Sequence, residues 1–252
     1  MQRYYIPKDN WEKEFVVLTD EDAHHIQRVM RQQIGDTIIC NHPDGQAAIC
    51  IIEQFTTEDV RVRIKEWLDE DSELPVHVTI AQGLPKGSKL DFIFQKGTEL
   101  GAAAFQLFEA DRSVVKWDTK KAEKRMKRYD KIIKEASEQC HRNVMPIVKA
   151  QQPLEKIIES NMYDHILFGY EEEARRQTDH SFADVLSQIK YGQQILMIIG
   201  PEGGFSEQEV NLLKNNGAIP VRLGKRILRT ETASLYALAS ISYHFEELKY
   251  EN

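Results

Sequence analysis

The order of apolar and polar positions divides the chain into two kinds of pattern. From Thr37 to Trp67 it is β-like: TIICN, a turn at HPDG, QAAICII, and then VRVRIKEW, where Val60, Val62 and Ile64 alternate with Arg61, Arg63 and Lys65. Ahead of these strands, TDEDAHHIQRVMRQQIGD predicts a short helix capped by Thr19 or Asp20 and stopped at Gly35. Beyond residue 75 the period changes. Strand-like runs VHVTIAQ, AFQLF, DHILFGY, QILMIIG and AIPVRLG alternate with helical stretches, the signature of an α/β layer with a mostly parallel sheet. Between the two patterns lies LDEDSELP, residues 68–75, acidic and closed by a proline, which reads as a domain edge. The expected organisation is a small β-rich domain over 1–70 and an α/β domain over 74–252.

Two helices show how their faces are used. In GSKLDFIFQKGTELG, Ser88 and Asp91 have capping-box spacing, Leu90, Ile93, Phe94, Gly97 and Leu100 form the buried stripe, and Lys96 and Glu99 stay outside. From Lys120 to Cys140, Ala122, Met126, Tyr129, Ile133, Ala136 and Cys140 recur at helical spacing. Lys120, Lys124, Lys127, Lys131 and Lys134 take the opposite face.

Composition narrows the function. A chain of 252 residues suits one large domain or a small one joined to a larger one, and the change of pattern favours the second. The formal net charge of -7 gives no general affinity for polyanions. Residues 112–134 reverse this locally, with ten Lys or Arg against three Asp or Glu, and both a solvated face and a nucleic-acid contact fit that excess. No run approaches the roughly 18 apolar residues of a membrane span, and MQRYYIPKDNWEKEF has no apolar signal core. A cytoplasmic protein without membrane contact is expected. Cys40, Cys50 and Cys140 lack CxxC or Cys/His metal spacing, so they are expected to be reduced thiols, with no metal site.

The chemistry concentrates in IIGPEGGFSEQEV, residues 198–210. QILMIIG is a buried strand, Gly200 opens a turn, and Ser206 with Glu209 forms a capping box for a helix ending near Asn216 and Gly217. The loop therefore follows the carboxyl end of a strand, where open α/β sheets bind ligands. GPEGGF matches neither a dinucleotide fingerprint nor a phosphate-binding P-loop, and Glu202 would repel a phosphate. A cationic ligand such as S-adenosylmethionine suits the loop, and a purely structural turn is the competing reading. After the next strand, VRLGKRILRTETASLYALAS places Arg226 and Arg229 in a second loop, with Thr230 capping a last helix from about Glu231. Two such loops from strands adjacent in sequence are able to converge on one pocket. Helix-dipole complementation by Glu231 and solvation of the arginines are the structural alternatives.

IGPEGGFSEQEV followed by LGKRILRTETA, with GLPKGSKLDFIFQKGTELG, RSVVK and EQCHRNVMP upstream in that order, resembles the bacterial 16S ribosomal RNA uridine-N3 methyltransferases of the SPOUT superfamily. The resemblance covers essentially the whole chain. It implies an N-terminal PUA-like β-barrel, a C-terminal parallel-sheet α/β domain with a deep trefoil knot, and a homodimer. The implied cofactor is S-adenosyl-L-methionine, with no metal. The implied substrate is a uridine of 16S ribosomal RNA in the small ribosomal subunit, methylated at N3.

Carried over by position, the resemblance assigns the cofactor to Phe168, Gly169, Ile199, Gly200, Glu202, Gly203, Gly204, Leu223, Gly224, Ile227, Leu228 and Arg229. In this frame the glycines serve close backbone approach. Uridine N3 is a poor nucleophile until its proton leaves, so Arg229 is the candidate to stabilise developing charge on a uracil oxygen and Glu231 the candidate base. Arg3, Arg28, Arg31, Lys86, Arg112 and Arg142 are candidates for RNA contact, while His24, His25 and His141 are read as packing or hydrogen-bonding residues. Competing functions are methylation of a ribose 2'-hydroxyl or another base atom, and a non-catalytic RNA-binding assembly role.

Overall fold

The structure, a computed structural model, describes residues 1–160, 162–170 and 181–248. It separates into two units, Met1–Glu73 with Lys134–Met145, and Leu74–Ile133 with Pro146–Asn252. The segment Lys134–Met145 is thus grouped with the β-rich part, whereas the sequence pattern alone assigns everything after residue 74 to the α/β part.

In the first unit the described strands form one sheet ordered β1 (Arg3–Tyr5), β3 (Thr37–Asn41), β4 (Ala47–Phe55), β5 (Val60–Leu68) and β2 (Phe15–Leu18). β3, β4 and β5 are the antiparallel meander that the alternation predicts, while β1 joins β3 in parallel. Register shifts at Ile49/Cys50 and Ile52/Gln54 add bulges that bend and twist the sheet. Val16, Leu18, Ile38, Ile52, Val60 and Val62 point inward against Ala23 and Ile26, so the alternation along each strand becomes one core. β1 and β2 have three and four residues, too short for a period to show. Cys40 and Cys50 are buried there without a disulfide, and burial pushes the Cys40 thiol up.

The predicted helix is shorter than expected. An α-helix at Asp20–His24 continues as a π-helical turn at His25–Val29 and stops at Met30, well before Gly35. Thr19 occupies the N-cap without a capping bond, because its hydroxyl donates to the Asp20 carboxylate at 2.9 Å. His25 Nδ1 lies 3.0 Å from the Tyr4 hydroxyl, a hydrogen-bonding role as read from the sequence.

Two RNA-contact candidates are internal. Arg3 is 1% exposed, pairs with Glu70 and donates to the Arg142 carbonyl oxygen. Arg142 is 3% exposed, and its Nε donates to both Glu73 carboxylate oxygens at 2.9 Å. A cation so enclosed is retained only when paired. The acidic stretch 68–75 accordingly supplies counter-ions for Arg3 and Arg142, and neither arginine presents its charge to RNA.

In the second unit β6 (His77–Gly83), β7 (Ala104–Phe108), β8 (Ile147–Gln152), β9 (His165–Gly169), β10 (Gln194–Ile199) and β11 (Ile219–Val221) form a parallel sheet in the order β11-β9-β10-β6-β7-β8. β6, β7 and β8 step outward on one side, and the chain then crosses to build the other half, leaving a switch point between β6 and β10. Apolar clusters cover both faces. Ile93, Phe94, Phe105, Tyr129 and Leu238 pack on one, and Phe108, Leu154, Phe168, Phe205 and Leu213 on the other. The edge strand β8 escaped the sequence reading because IVKAQQ is half polar.

The helix Lys89–Glu99 buries Leu90, Ile93, Phe94 and Gly97 as the stripe predicts, with Leu100 partly covered just past its end. Ser88 makes no capping bond, however, and Asp91 binds Arg128 at 2.5 Å. Lys96 and Glu99 pair with each other at 2.8 Å.

Arg142→Ala should leave Glu73 half-buried without its cation and destabilise the protein by about 3–5 kcal/mol, the usual cost of breaking a buried pair from one side. Denaturant unfolding checks this; an unchanged midpoint would mean that the pair is dispensable.

Candidate functional site

The carboxyl ends of β9, β10 and β11 open onto one cavity of about 630 Å³. Gly169 ends β9 and Tyr170 follows it, the loop Gly200–Phe205 follows β10, and Leu223–Arg229 follows β11; all contribute to its walls apart from Lys225. The volume is ordinary for a metabolite site. The two sequence-predicted loops do converge. Of the cofactor candidates, Gly169, Ile199, Gly200, Glu202, Gly203, Gly204, Leu223, Gly224, Ile227, Leu228 and Arg229 line the cavity. Phe168 does not, because strand alternation turns its ring into the opposite core, edge-on to Phe205 at 5.9 Å.

A buried polar network fixes the walls. Gln82 Nε2, at the end of β6, donates to Thr230 Oγ1 at 2.8 Å, and Thr230 Oγ1 donates to the Gly200 carbonyl oxygen at 2.7 Å. Ser234 Oγ closes the set by donating to Gln82 Oε1 at 2.7 Å. Thr230 therefore does not cap the last helix, which runs Thr230–Ser242 with Arg229 at its N-cap. Its hydroxyl instead joins that helix to the glycine loop.

The glycine loop is held from a second side. Ser206 and Glu209 form the predicted capping box of the helix Glu207–Asn215, and Glu209 also accepts from the Asp111 N–H at 3.0 Å. Arg112 Nη1 donates to the Gly203 carbonyl oxygen at 3.1 Å, and a Cβ on Gly203 would stand 2.9 Å from Arg112 Cβ. At Gly83 an added Cβ would come within 2.7 Å of Pro201 Cδ and 2.9 Å of Pro201 N. Both positions need glycine for close approach.

The acid at the centre of the loop faces protein. Glu202 Oε1 accepts from Lys89 Nζ at 2.8 Å and from the Lys86 N–H at 3.1 Å. Burial pushes the Glu202 carboxyl up, but the hydrogen bonds from Lys89 and the backbone outweigh it and hold the group below the ordinary carboxylate value. Lys89 is raised in turn, chiefly by Glu202. Its ammonium also lies 3.3 Å from Glu231 Oε2, so one cation serves two acids. Glu231 is not among the residues lining the cavity and meets it only through Lys89.

Arg229 is exposed on the cavity wall, and its guanidinium makes no hydrogen bond or ion pair among the described residues. Arg28, Arg31 and Lys86 are exposed, as is Arg112, which serves the cavity wall as well. His141 is exposed too, at φ 61, and it is held below the ordinary histidine value by burial and the nearby Arg3. The sequence reading missed Lys89, Tyr170 and Phe205. Lys89 did carry a signal, since a cation in the first turn of a helix opposes the dipole unless acids surround it. No group of three or more His, Cys, Asp or Glu suited to a metal occurs among the described residues, and none of their helices is long and apolar enough to cross a membrane.

Comparison with known proteins gives two family matches, an RNA methyltransferase domain over residues 72–242 and an RNA methyltransferase PUA domain over residues 18–65. The ribosomal RNA small subunit methyltransferase E of Bacillus subtilis is 44% identical, covering 99% of each chain. That of Synechocystis is 34% identical over 90% of this chain and 72% of its own. The crystal structure of the Neisseria gonorrhoeae ribosomal RNA small subunit methyltransferase E bound to S-adenosyl methionine superposes with a TM-score of 0.83 at 29% identity, covering 97% of this chain and 98% of that one.

Gly83→Ala should force Pro201 away from β6 and cost about 1–3 kcal/mol, as overpacking against backbone does. Thermal unfolding reads the loss, and a variant as stable as the parent would show that the loop has room to yield.

Proposed function

The chain belongs to the RNA methyltransferase family that modifies ribosomal RNA of the small subunit, and we propose that it methylates N3 of a uridine in 16S ribosomal RNA with S-adenosylmethionine. The observation that carries this reading is the convergence of three strand-end loops on one cavity whose wall includes an unpartnered arginine. The cofactor fits what is present: Gly200, Gly203 and Gly204 leave backbone groups open to the cavity, no phosphate-binding lysine loop is there, and a cofactor-bound relative shares the fold. The residues proposed to hold it are those that line the cavity from Gly169, the glycine loop and Leu223–Arg229. When bound, it supplies a methyl carbon already activated by a sulfonium.

The chain then has to orient uracil and manage one proton. Arg229 is proposed to donate to a uracil carbonyl oxygen as negative charge gathers there. Glu231 is the proposed acceptor of the N3 proton. Its Oε2 lies 3.3 Å from the Lys89 ammonium on the cavity wall, and the second carboxylate oxygen keeps its lone pairs for a proton. RNA contact is assigned to Arg28 and Arg31 in the first unit and to Lys86 and Arg112 in the second, all exposed.

The same proposal includes the trefoil knot, supported by the burial of Thr230 against Gly200 and Gln82. It includes a homodimer, supported by exposed Tyr236, Tyr243 and Leu248 along one terminal segment. It places the protein in the cytoplasm with its ribosomal substrate, with residues 1–70 as a PUA-like barrel and 74–252 as the knotted domain, whose last four residues lie outside those described.

Incubation with S-adenosylmethionine and small subunits lacking the modification should yield 3-methyluridine by nucleoside mass spectrometry. A 2'-O-methyl or another methylated base would replace the assigned atom, and no methylation without cofactor binding would overturn the enzyme. Arg229→Ala should lower kcat on the order of 10²-fold or more, the usual cost of losing one donor to a developing anion, with folding unchanged; near-parental turnover would remove Arg229 from the chemistry.

A further inference from the structure

The cations of the helix Thr119–Gln139 are sorted onto one face. At 100° per residue, Lys120, Lys124, Lys127 and Lys131 fall within about 60° of arc, and Arg128 and Lys121 flank them. Met126, Tyr129 and Ile133 occupy the opposite side and pack into the core. All four stripe lysines are exposed, as are Lys121 and Arg128. From the first lysine to the last the stripe runs roughly 16 Å at the helical rise.

A face that serves only solubility mixes signs, as Lys96 and Glu99 do one turn apart on the helix Lys89–Glu99. Here Lys120, Lys124 and Lys127 repeat one turn apart with no acid between them, while Glu123 and Asp130 lie to one side and Glu135 follows Lys131 by one turn. Like charges at this spacing repel along a helix. A line of phosphates relieves that repulsion, and in a chain of net charge -7 a face sorted this way suits a polyanionic partner. Arg128, beside the stripe, reaches Asp91 at 2.5 Å and so ties this side of the helix to the helix Lys89–Glu99.

We infer that Lys120, Lys124, Lys127 and Lys131 form a docking rail for the phosphodiester backbone of the RNA substrate, separate from the residues that hold cofactor and base. The inference rests on the ribosomal RNA reading of the cavity. It assigns the rail to affinity and not to the choice of nucleotide, because phosphate contacts position the partner without reading sequence.

The test compares the full-length protein with its Lys124→Gln/Lys127→Gln/Lys131→Gln variant in binding unmethylated small ribosomal subunits from about 50 to 200 mM salt, at fixed magnesium. Each lysine lost should reduce the slope of log affinity against log salt by about 0.7–0.9, so the variant should lose about 2–3 in slope. Its affinity for S-adenosylmethionine, read by calorimetry, should stay at the parental value. A Lys156→Gln/Lys190→Gln control, at exposed lysines elsewhere in the same unit, should keep the parental slope. An unchanged slope in the triple variant overturns the rail alone. A parental protein without salt-dependent affinity for the subunits overturns the rail together with the ribosomal RNA reading, and an equal loss in the control shows that any lysine serves and overturns the rail.

Discussion

The carboxamide of Gln82, fully buried at the end of a central strand, is the constraint from which the site follows. Its nitrogen donates to Thr230 and its oxygen accepts from Ser234, while Thr230 donates to Gly200. An amide in an apolar core is costly unless its bonds are made. Here the bonds to Thr230 and Ser234 are made only with the first turn of the last helix in place, and Thr230 in turn holds the glycine loop. The cavity is thus formed by the fold itself, before any ligand arrives. Gly83 extends the same logic, since Pro201 occupies the space that a side chain there would need.

A second interaction sets the charge of the site. Glu202 looks like a ligand for a cation when read in its loop, yet it anchors the loop to Lys89 and the Lys86 N–H. The sign of its pH dependence follows from its lowered value: the contribution is present above the ordinary carboxylate value and is lost as pH falls through the lower folded value. Lys89, raised by the same contact, extends the pair upward in pH until its own higher value is passed. Both groups are partly open to solvent, so the pair adds little stability. Its consequence is positional: Lys89 holds Glu202 and Glu231 at one edge of the cavity and keeps its charge from standing alone.

The parts legible in the sequence are those with local causes. Strand alternation in 37–67, the capping box of Ser206 and Glu209 and the glycine loop each depend on neighbours within a few residues, and each appears where the pattern puts it. Pairings across long stretches of chain left no such trace. Arg3 and Arg142 read as surface cations because Glu70 and Glu73 stand far from them in sequence. Thr230 read as a cap because its true acceptor, Gly200, lies thirty residues away. Phe168 stays off the cavity wall for a different reason: its neighbour Gly169 does reach the cavity, and adjacent strand residues face opposite ways.

An acidic protein that works on RNA has to solve a long-range problem with a local arrangement. Residues 112–134 carry seven more basic than acidic groups, so the rest of the chain carries -14. At physiological salt, charges more than about 8 Å apart in solvent are largely screened from one another. The acidic remainder therefore keeps the protein from indiscriminate contact with nucleic acid at large, while a phosphate backbone that comes within reach of the lysine face meets a local excess of positive charge. Sorting the cations by face, and packing the opposite face into the core through Tyr129 and Ile133, makes that field a fixed feature of the fold. Binding then depends on how the RNA is presented, and net charge becomes a device against the wrong partners.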